Sequence, residues 1–255
     1  VWDGIYHPDA GQIFTSTEEY FNWRGRTHKS AIGILFYRLY WANRDLQVID
    51  ALIRRLEEDH DVIPVFCIGT GDEDLGARPG LKVIDHYFTG KIDLLFNLQS
   101  VTLSKNTKET VEGLKNLNIP VIHPVMIYNR TEAEWEEDSA GLCASEVGWA
   151  FVVPEFLGMT GMIPVGAKSP GDTIDGEVQW HEPLPERIGR LCQFASGWVR
   201  LKQKKPAERK IAFILNNSPC TSIEATVGTA AHLDALESVA GILQIMKDAG
   251  YRVQP

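Results

Sequence analysis

The sequence predicts an α/β fold in which helices flank a mainly parallel β-sheet, as in Rossmann-like and flavodoxin-like proteins. Continuous apolar runs such as Ala31–Tyr37 are typical of strands that are buried on both faces. Between these runs, apolar residues recur at the spacing of about 3.6 that one face of a helix requires. Strands that alternate with helices in this way form right-handed crossovers, which place the strands parallel in one sheet.

Residues 1–30 are expected to form an irregular lead-in, and the α/β pattern fills residues 31–150. Asn43 or Asp45 is expected to cap the first helix, because short polar side chains accept hydrogen bonds from helix N–H groups. Pro64 has no N–H, so we expect it near the start of its strand or on a sheet edge. The predicted elements are strands at 31–37, 62–68, 92–98 and 120–125, and helices near 45–56, 81–88, 107–117, 131–137 and 145–149.

The second half of the chain predicts a connection followed by a new α/β unit. Residues 151–155 are expected to form a brief strand, within a Gly- and Pro-rich connecting excursion at 151–184 whose part from Gly158 to Pro183 is extended or contains a hairpin. A helix at 185–204 then leads to a strand at 211–215, a helix at 230–249 and a strand that opens at 251. We therefore expect residues 185–255 to hold the start of a second α/β domain.

The two ends of the chain are consistent with an internal segment of a larger protein. The chain starts at Val1, without an initiator Met and without the features of a signal peptide. Its terminal β-α-β unit stops as the second strand opens, and such a unit does not bury both faces of its sheet. The alternative is that these last residues form an edge strand of a complete domain.

Composition excludes several classes of function. The net charge of −9 disfavours a role in binding the nucleic-acid backbone. No stretch approaches 18 consecutive apolar residues, which disfavours a membrane span. The cysteines lack CxxC spacing, so neither a zinc site nor a disulfide framework is indicated. Buried, reduced thiols in a cytoplasmic protein are the expected state.

Residue chemistry alone indicates only a crevice. The predicted strands end at Arg38, Gly69, Asn97 and Met126, and the crevice beyond the carboxyl ends of parallel strands is the usual ligand site. The sequence contains no Walker A, HExxH or GxSxG motif. The residues therefore predict an α/β protein with a crevice, and they leave its ligand open.

Three stretches in register resemble the large subunit of cobaltochelatase (CobN) and its relatives, the H subunits of magnesium chelatase. The first stretch is a strand, helix and strand, the second joins a Pro-Val strand to a Glu-Trp pair and a Pro-Glu turn, and the third runs from a helix to a Gly-Thr-Ala-Ala-His turn. The matching residues are Ile32–Arg38, Asp50–Glu57 and Val62–Phe66; Asn118–Ile122, Glu134–Trp135 and Val153–Glu155; and Glu186–Ile188, Lys210–Ala212 and Gly228–Asp234. Order and spacing match over roughly residues 31–253.

The resemblance implies a function. These large subunits bind a tetrapyrrole macrocycle and supply the chelating site, while separate AAA+ and integrin-domain-like subunits hydrolyse ATP. The inserted metal is cobalt or magnesium, and ATP is not bound by the large subunit. The chain departs from the family where Pro154–Gly158 keeps the Glu but lacks the Asp of a Pro-Glu-Leu-Asp-Gly pattern, and where only Gly228 remains of a Gly-Asn-x-Gly pattern. These departures leave the metal and the tetrapyrrole open.

Five residues are candidates for the site. Glu155 matches a family carboxylate, and a carboxylate suits both removal of pyrrole protons and transient metal binding; alternatively, it is a cap or a loop anchor. Gly228 and Thr229 open a helix whose N–H groups suit an acidic or amide substituent. His232 follows them as a metal or substrate contact, or simply as a surface residue. Arg38 pairs with an acidic substituent, or with a neighbouring Asp.

Two further residues are weaker candidates. Asp234 is equally well explained as a first-turn helix acid, and His123 stands beside Pro124 at the end of a strand. Two functions remain open: a segment of the tetrapyrrole-binding chelatase subunit, or a non-catalytic α/β module that binds a ligand or partner.

Overall fold

A computed structural model describes residues 1–99, 103–170, 180–215 and 234–253. The described residues contain one seven-stranded sheet with the strand order β1-β3-β2-β4-β5-β6-β7. The strands are β1 Gly4–Ile5, β2 Ala31–Tyr37, β3 Asp61–Cys67, β4 Leu94–Asn97, β5 Val121–Ile127, β6 Thr160–Lys168 and β7 His181–Pro183.

The inner strands β3, β2, β4, β5 and β6 run parallel, whereas the outer strands β1 and β7 are antiparallel to their neighbours. Taken in chain order, the five parallel strands are arranged 2-1-3-4-5, which is the flavodoxin-like order. The predicted fold class is therefore confirmed. In this arrangement the strand order reverses between β2 and β4, so the ligand crevice is expected at the carboxyl ends of these two strands.

Helices cover both faces of the sheet, and alternate residues of each strand face the two layers. On one face, α3 (Gln47–Leu56) and α9 (Pro185–Gln203) pack on the even-numbered residues of β2. On the other face, α1 (Thr17–Arg24), α4 (Gly80–Tyr87) and α5 (Thr107–Leu117) pack on residues such as Leu35 and Leu95. No helix in the described part of the chain has the length and apolar content needed to cross a membrane. The helices are α1 Thr17–Arg24, α2 Arg38–Ala42, α3 Gln47–Leu56, α4 Gly80–Tyr87, α5 Thr107–Leu117, α6 Glu132–Glu137, α7 Ala144–Val147, α8 Val153–Phe156 and α9 Pro185–Gln203.

Two positions show how the sequence fits this sheet. Gly33 in β2 allows a close approach, since a Cβ there would lie 2.9 Å from Ile92 Cδ1 and 3.0 Å from the Phe88 ring. Pro64 lies in the middle of β3, and not at its start as one alternative predicted. It is tolerated because the neighbour on its far side, β1, is only two residues long, and Tyr6 N–H donates to the Pro64 carbonyl at 2.8 Å.

The segment between β5 and α9 differs from the prediction. Residues 151–155 are helical, in a π-helix (Gly148–Val152) followed by α8, so the predicted strand there is wrong. Residues 160–168, expected in an extended or hairpin-containing excursion, form β6, which pairs antiparallel with β7; its parallel pairing with β5 was not predicted. Parallel pairing with β5 holds this strand in the sheet, and its Gly and Pro residues concealed it from the sequence pattern.

The chain divides into two compact units, Val1–Val199 and Arg200–Pro255. In the second unit, a 3-10 turn at Pro206–Glu208 and a helix at Ala235–Asp248 are described. Residues 211–215 and 251–253 were predicted as strands, but neither has strand structure, and Ile214 is 86% exposed. A strand exists only through hydrogen bonds to a neighbour, and the described residues of this unit include no partner strand.

Candidate functional site

The carboxyl ends of the parallel strands carry two pockets, separated by the segment from Arg38 to Gln47. This segment follows β2 directly as α2 and then turns into α3. Tyr37 ends β2, Tyr128 follows β5, and His181 pairs with Lys168 at the end of β6. Both pockets therefore lie on the carboxyl side of the sheet, beside the end of β2, but their described linings include no residue of β4, so they flank the crevice expected between β2 and β4.

The first pocket, called here the tyrosine pocket, has a volume of about 320 Å³ and a largely aromatic wall. A buried hydrogen-bonded pair lies in this wall: Asp45 Oδ2 is 2.6 Å from His181 Nδ1, and the second oxygen accepts the His181 backbone N–H at 2.9 Å. Because both carboxylate oxygens bind His181, the ring orientation of His181 is fixed by Asp45. The lining residues are Tyr37, Leu39, Tyr40, Asn43, Asp45, Tyr128 and His181.

The role of Asp45 corrects the sequence prediction for α3. The N-terminal capping position of this helix is Leu46, without a side-chain cap, and Asp45 turns away from the helix to bind His181. Asn43 likewise does not cap α3; it follows the end of α2. The buried imidazole and amide N–H of His181 replace the helix N–H groups as donors to this carboxylate.

Two tyrosine hydroxyl groups meet at the base of this pocket. Tyr40 and Tyr128 share a short hydrogen bond between their hydroxyl oxygens. Burial is the main reason that the pKa of both groups lies above its usual value, and Asp45 raises them further. Both phenols are therefore neutral at physiological pH, and their rings stand nearly perpendicular to the His181 ring, at 79° and 85°.

Glu146 holds the turn that carries Tyr128. Its side chain is fully buried, and it accepts the backbone N–H groups of Tyr128 at 3.1 Å, Asn129 at 3.2 Å and Cys143 at 3.3 Å. Burial alone would raise the pKa of Glu146, but the hydrogen bonds from Cys143, Asn129 and Tyr128 outweigh it and hold the pKa below its usual value. A buried carboxylate thus positions one wall of the tyrosine pocket.

The second pocket, called here the arginine pocket, has a volume of about 850 Å³ and contains Arg38 and Arg44. Arg38 Nε donates to the Val1 carbonyl at 2.7 Å, and its guanidinium lies 4.8 Å from the Trp2 ring centroid and 5.6 Å from that of Trp41. The neighbouring Asp predicted as one alternative does not pair with Arg38 among the described residues, and the acidic substituent of a substrate stays a prediction. Its terminal nitrogens have no hydrogen-bond partner in that part of the chain, so they are available to a ligand.

A buried polar cluster lies at the point where the strand order reverses. Gln99 Nε2 donates to the carbonyls of Phe36, at 3.1 Å, and Cys67, at 3.3 Å. This fixes the orientation of the amide, and Gln99 Oε1 is fully buried without a partner in the described residues. His123 Nδ1 lies 2.7 Å from the Asn97 carbonyl, and burial lowers the pKa of His123 to about 4. His123 is inside β5, and not at its end as predicted.

Of the predicted site residues that the structure describes, Arg38 and Glu155 lie apart. Glu155 is exposed in α8, which leads into the amino end of β6, and the described residues offer its carboxylate no hydrogen-bond partner. The nine residues of β6 separate it from the Lys168–His181 end by about 26 Å at the usual rise per strand residue. Gly228, Thr229 and His232 lie outside the described residues, and Asp234 caps the helix at 235–248 by accepting the Glu237 N–H. Among the candidate site residues that the structure describes, Arg38 is the one that lies in a pocket at the carboxyl edge of the sheet.

Sequence analysis missed the Asp45–His181 pair, because its two members are 136 positions apart and neither carries a motif. Across the described ranges, no group of three or more His, Cys, Asp or Glu side chains is arranged to hold a metal ion.

The strand order defines a flavodoxin-like α/β fold. A family model described as CobN/Magnesium Chelatase matches residues 1–255. The chain belongs to this CobN/magnesium chelatase family.

Individual relatives agree with this assignment. The H subunit of the magnesium chelatase of Rhodobacter capsulatus is 30% identical over 98% of this chain and 22% of its own length. The protein MJ1441 of Methanocaldococcus jannaschii is 37% identical over 99% of this chain and 21% of its own length. The catalytic subunit of cobaltochelatase from Mycobacterium tuberculosis has the same fold, with a TM-score of 0.72 and 23% identity over 100% of this chain and 20% of that one. The chain thus spans about a fifth of the length of these proteins.

Proposed function

We propose that the chain is a segment of the large subunit of an ATP-dependent metal chelatase. The complete subunit would bind a tetrapyrrole in the cytoplasm and receive a divalent metal as substrate, with cobalt as the first choice over magnesium. AAA+ and integrin-domain-like partner subunits would hydrolyse the ATP, and the product would enter a cobalamin-type cofactor. Family membership supports this proposal, and so do the names of the relatives, which include the H subunit of a magnesium chelatase and the CobN subunit of an aerobic cobaltochelatase.

The observation that carries the proposal is the arginine pocket at the carboxyl edge of a chelatase-family domain. Arg38 lies there with one nitrogen bound to Val1 and with Trp2 and Trp41 beside its guanidinium. A guanidinium held in this way presents its remaining N–H groups to a carboxylate. Tetrapyrroles carry carboxylate side chains around a flat ring, so an acidic substituent is the expected ligand group of Arg38.

A spectroscopic titration tests this proposal. The chain is titrated with a porphyrin and, separately, with a corrin precursor, and the absorbance of the macrocycle is followed. We expect a saturable spectral change at micromolar protein, and at least a tenfold weaker affinity for Arg38→Gln, since a charged hydrogen bond contributes about 1.5–3 kcal/mol. Arg26→Gln is the matched control, because Arg26 also lies over an aromatic ring but lines a different pocket. Equal affinities of the two variants would count against Arg38.

Glu155 remains the proposed catalytic carboxylate and transient metal ligand, on the basis of the family resemblance. Gly228, Thr229 and His232 likewise remain proposed contacts of the substrate, with His232 as a second metal ligand. The test for Glu155 is the rate of metal insertion by the complete subunit with its partners. Glu155→Gln is expected to lower that rate, with Glu137→Gln, a change of another exposed helical glutamate, as a control that leaves it unchanged.

The second candidate function is a non-catalytic module that binds a ligand or a partner. The exposed position of Glu155 at the amino end of β6, away from both pockets, favours this candidate. Full metal insertion by Glu155→Gln, together with macrocycle binding that depends on Arg38, would select it.

A further inference from the structure

We propose that the tyrosine pocket binds an alkylammonium cation. The inference goes beyond the proposed chelatase function, and it depends on neither the metal nor the tetrapyrrole. It follows from three properties of the pocket: its aromatic wall, the sign of its charge and the kinds of ligand that this wall disfavours.

The wall is built from the rings of Tyr37, Tyr40 and Tyr128, which line a cavity of about 320 Å³. The Tyr37 and Tyr40 ring centroids are 6.5 Å apart with an interplanar angle of 51°, so the two rings form adjoining and not parallel walls. Tyr128 is held in place by Glu146 through the backbone and by the Trp149 ring at 5.1 Å. Several electron-rich rings at angles around one cavity form the arrangement that recognises ammonium groups.

The charge of the pocket has the matching sign. Among the described residues that line it, Asp45 is the one carboxylate, and neither Lys nor Arg occurs. The described lining therefore offers a cation one buried carboxylate close to the rings, and no Lys or Arg side chain that would repel it. Raised pKa values keep Tyr40 and Tyr128 in the phenol form, so their hydroxyl groups add no further charge.

Other ligand classes fit this pocket less well. An anion would enter beside the buried carboxylate of Asp45 without a Lys or Arg side chain in the described lining to compensate it. A metal ion would lack ligands, because both Asp45 oxygens already accept hydrogen bonds from His181 and the described residues offer no group of three metal-binding side chains. An alkylammonium needs neither a ligand set nor a free carboxylate, because ring faces and a nearby charge are sufficient.

The test compares a cation with its uncharged isostere. The chain is labelled with 13C in its tyrosine rings and titrated with choline and with 3,3-dimethylbutanol, which replaces the nitrogen by carbon. Ring resonances of the pocket tyrosines are expected to shift with choline, with an affinity about tenfold higher than for the alcohol. Equal affinities, or no shift with choline, would overturn the proposal.

Variants locate the binding. Tyr37→Phe keeps the ring and should keep the preference for choline, whereas Tyr37→Leu and Asp45→Asn should each reduce it several-fold. Leu39→Ala is the matched control, because Leu39 lines the same cavity but has neither a ring nor a charge. Circular dichroism confirms folding of each variant, and the comparison within folded variants decides the proposal. A preference that persists in both Tyr37→Leu and Asp45→Asn would place the site elsewhere.

The same chemistry has two possible sources, which a second titration separates. N-acetyl-lysine methylamide presents the primary ammonium of a lysine side chain on a peptide-like backbone. Tighter binding of this compound than of choline would identify a lysine of another protein segment as the natural group. Tighter binding of choline would identify a free quaternary amine. Failure of this proposal leaves the Arg38 titration unaffected, because Arg38 lines the other pocket.

Discussion

The buried imidazole of His123 should make the stability of the first unit depend on pH. His123 is 1% exposed, and its Nδ1 faces the Asn97 carbonyl, which accepts only, so this nitrogen carries the hydrogen. Burial lowers the pKa of His123 from 6.5 to about 4, although the hydrogen bond to Asn97 acts in the opposite direction. The substitution His123→Asn removes the titration and places an amide N–H near the position of Nδ1.

The sign follows from the two pKa values. Above pH 6.5 His123 is neutral in both the folded and the unfolded chain, so it adds no pH dependence. Below that pH the unfolded chain takes up a proton that the folded chain does not, and the free energy of unfolding falls until the pH reaches about 4. At 1.36 kcal/mol per pKa unit, the loss attributable to His123 is about 1.4 kcal/mol at pH 5.5 and about 2.6 kcal/mol at pH 4.5.

Urea unfolding at pH 7.0, 5.5 and 4.5 measures this loss. Tryptophan fluorescence is the suitable probe, because all seven tryptophans lie in the unit Val1–Val199. His123→Asn is expected to be less stable at pH 7.0 but to lose less stability on acidification, by the amounts above. His86→Asn is the control, because His86 is exposed and its replacement should leave the pH dependence of the wild-type chain. Parallel pH profiles of wild type and His123→Asn would refute the reasoning.

Three further predictions concern packing, a buried carboxylate and thiol reactivity. Gly33→Ala should lower the free energy of unfolding by about 1–3 kcal/mol, measured in the same urea assay, because its Cβ has no space. Glu146→Ala should cost about 2–4 kcal/mol, since three N–H groups lose their acceptor, and Glu146→Gln should restore a good part of it. Because the pKa of Glu146 is lowered in the folded chain, its carboxylate contributes fully to stability above its usual pKa, and this contribution is lost as the pH falls through the lowered pKa. Glu146→Gln should therefore lose less stability in acid than the wild-type chain. Iodoacetamide at pH 7.5 should modify Cys143 before Cys67 and Cys192, as followed by peptide mass spectrometry. The reason is that burial raises the pKa of the Cys67 thiol to about 11 and that of the Cys192 thiol to about 12. Equal rates of modification would contradict the burial of these two thiols.

The central sheet could be predicted from the sequence because its strands carry their own signal. Ala31–Tyr37 and Val121–Ile127 are apolar along almost their whole length, as strands buried on both faces must be. β6 carries no such signal, because Thr160–Lys168 contains two glycines and a proline and its first five residues are exposed or half-buried. Its strand structure comes from pairing with β5, and this tertiary effect lies beyond local pattern.

The sequence could predict the edge of the sheet on which the pockets lie, but not the residues that line them. The edge on which they lie follows from the order of strands and helices, and Arg38 was found because it directly follows an apolar run. Asp45 seemed to be a helix cap, since nothing within its own segment indicates a partner 136 residues away. The pairing of Asp45 with His181 depends on where β7 returns to the sheet, and the length of β6 sets that position.

The positions of Arg38 and Glu155 in the sheet also separate their proposed roles. Arg38 follows the carboxyl end of β2 and Glu155 precedes the amino end of β6, and β4 and β5 lie between these two strands, which puts β2 and β6 about 14 Å apart at the usual strand spacing. Residues so placed do not contact the same substituent, so binding and metal insertion should respond to them independently. In the complete subunit, Arg38→Gln should raise the macrocycle concentration needed for half-maximal insertion, and Glu155→Gln should lower the maximal rate at unchanged macrocycle affinity. If both substitutions lowered the affinity for the macrocycle equally, other parts of the subunit would have to bring Arg38 and Glu155 to one ligand. The independence of binding and metal insertion argued from the sheet would then be wrong.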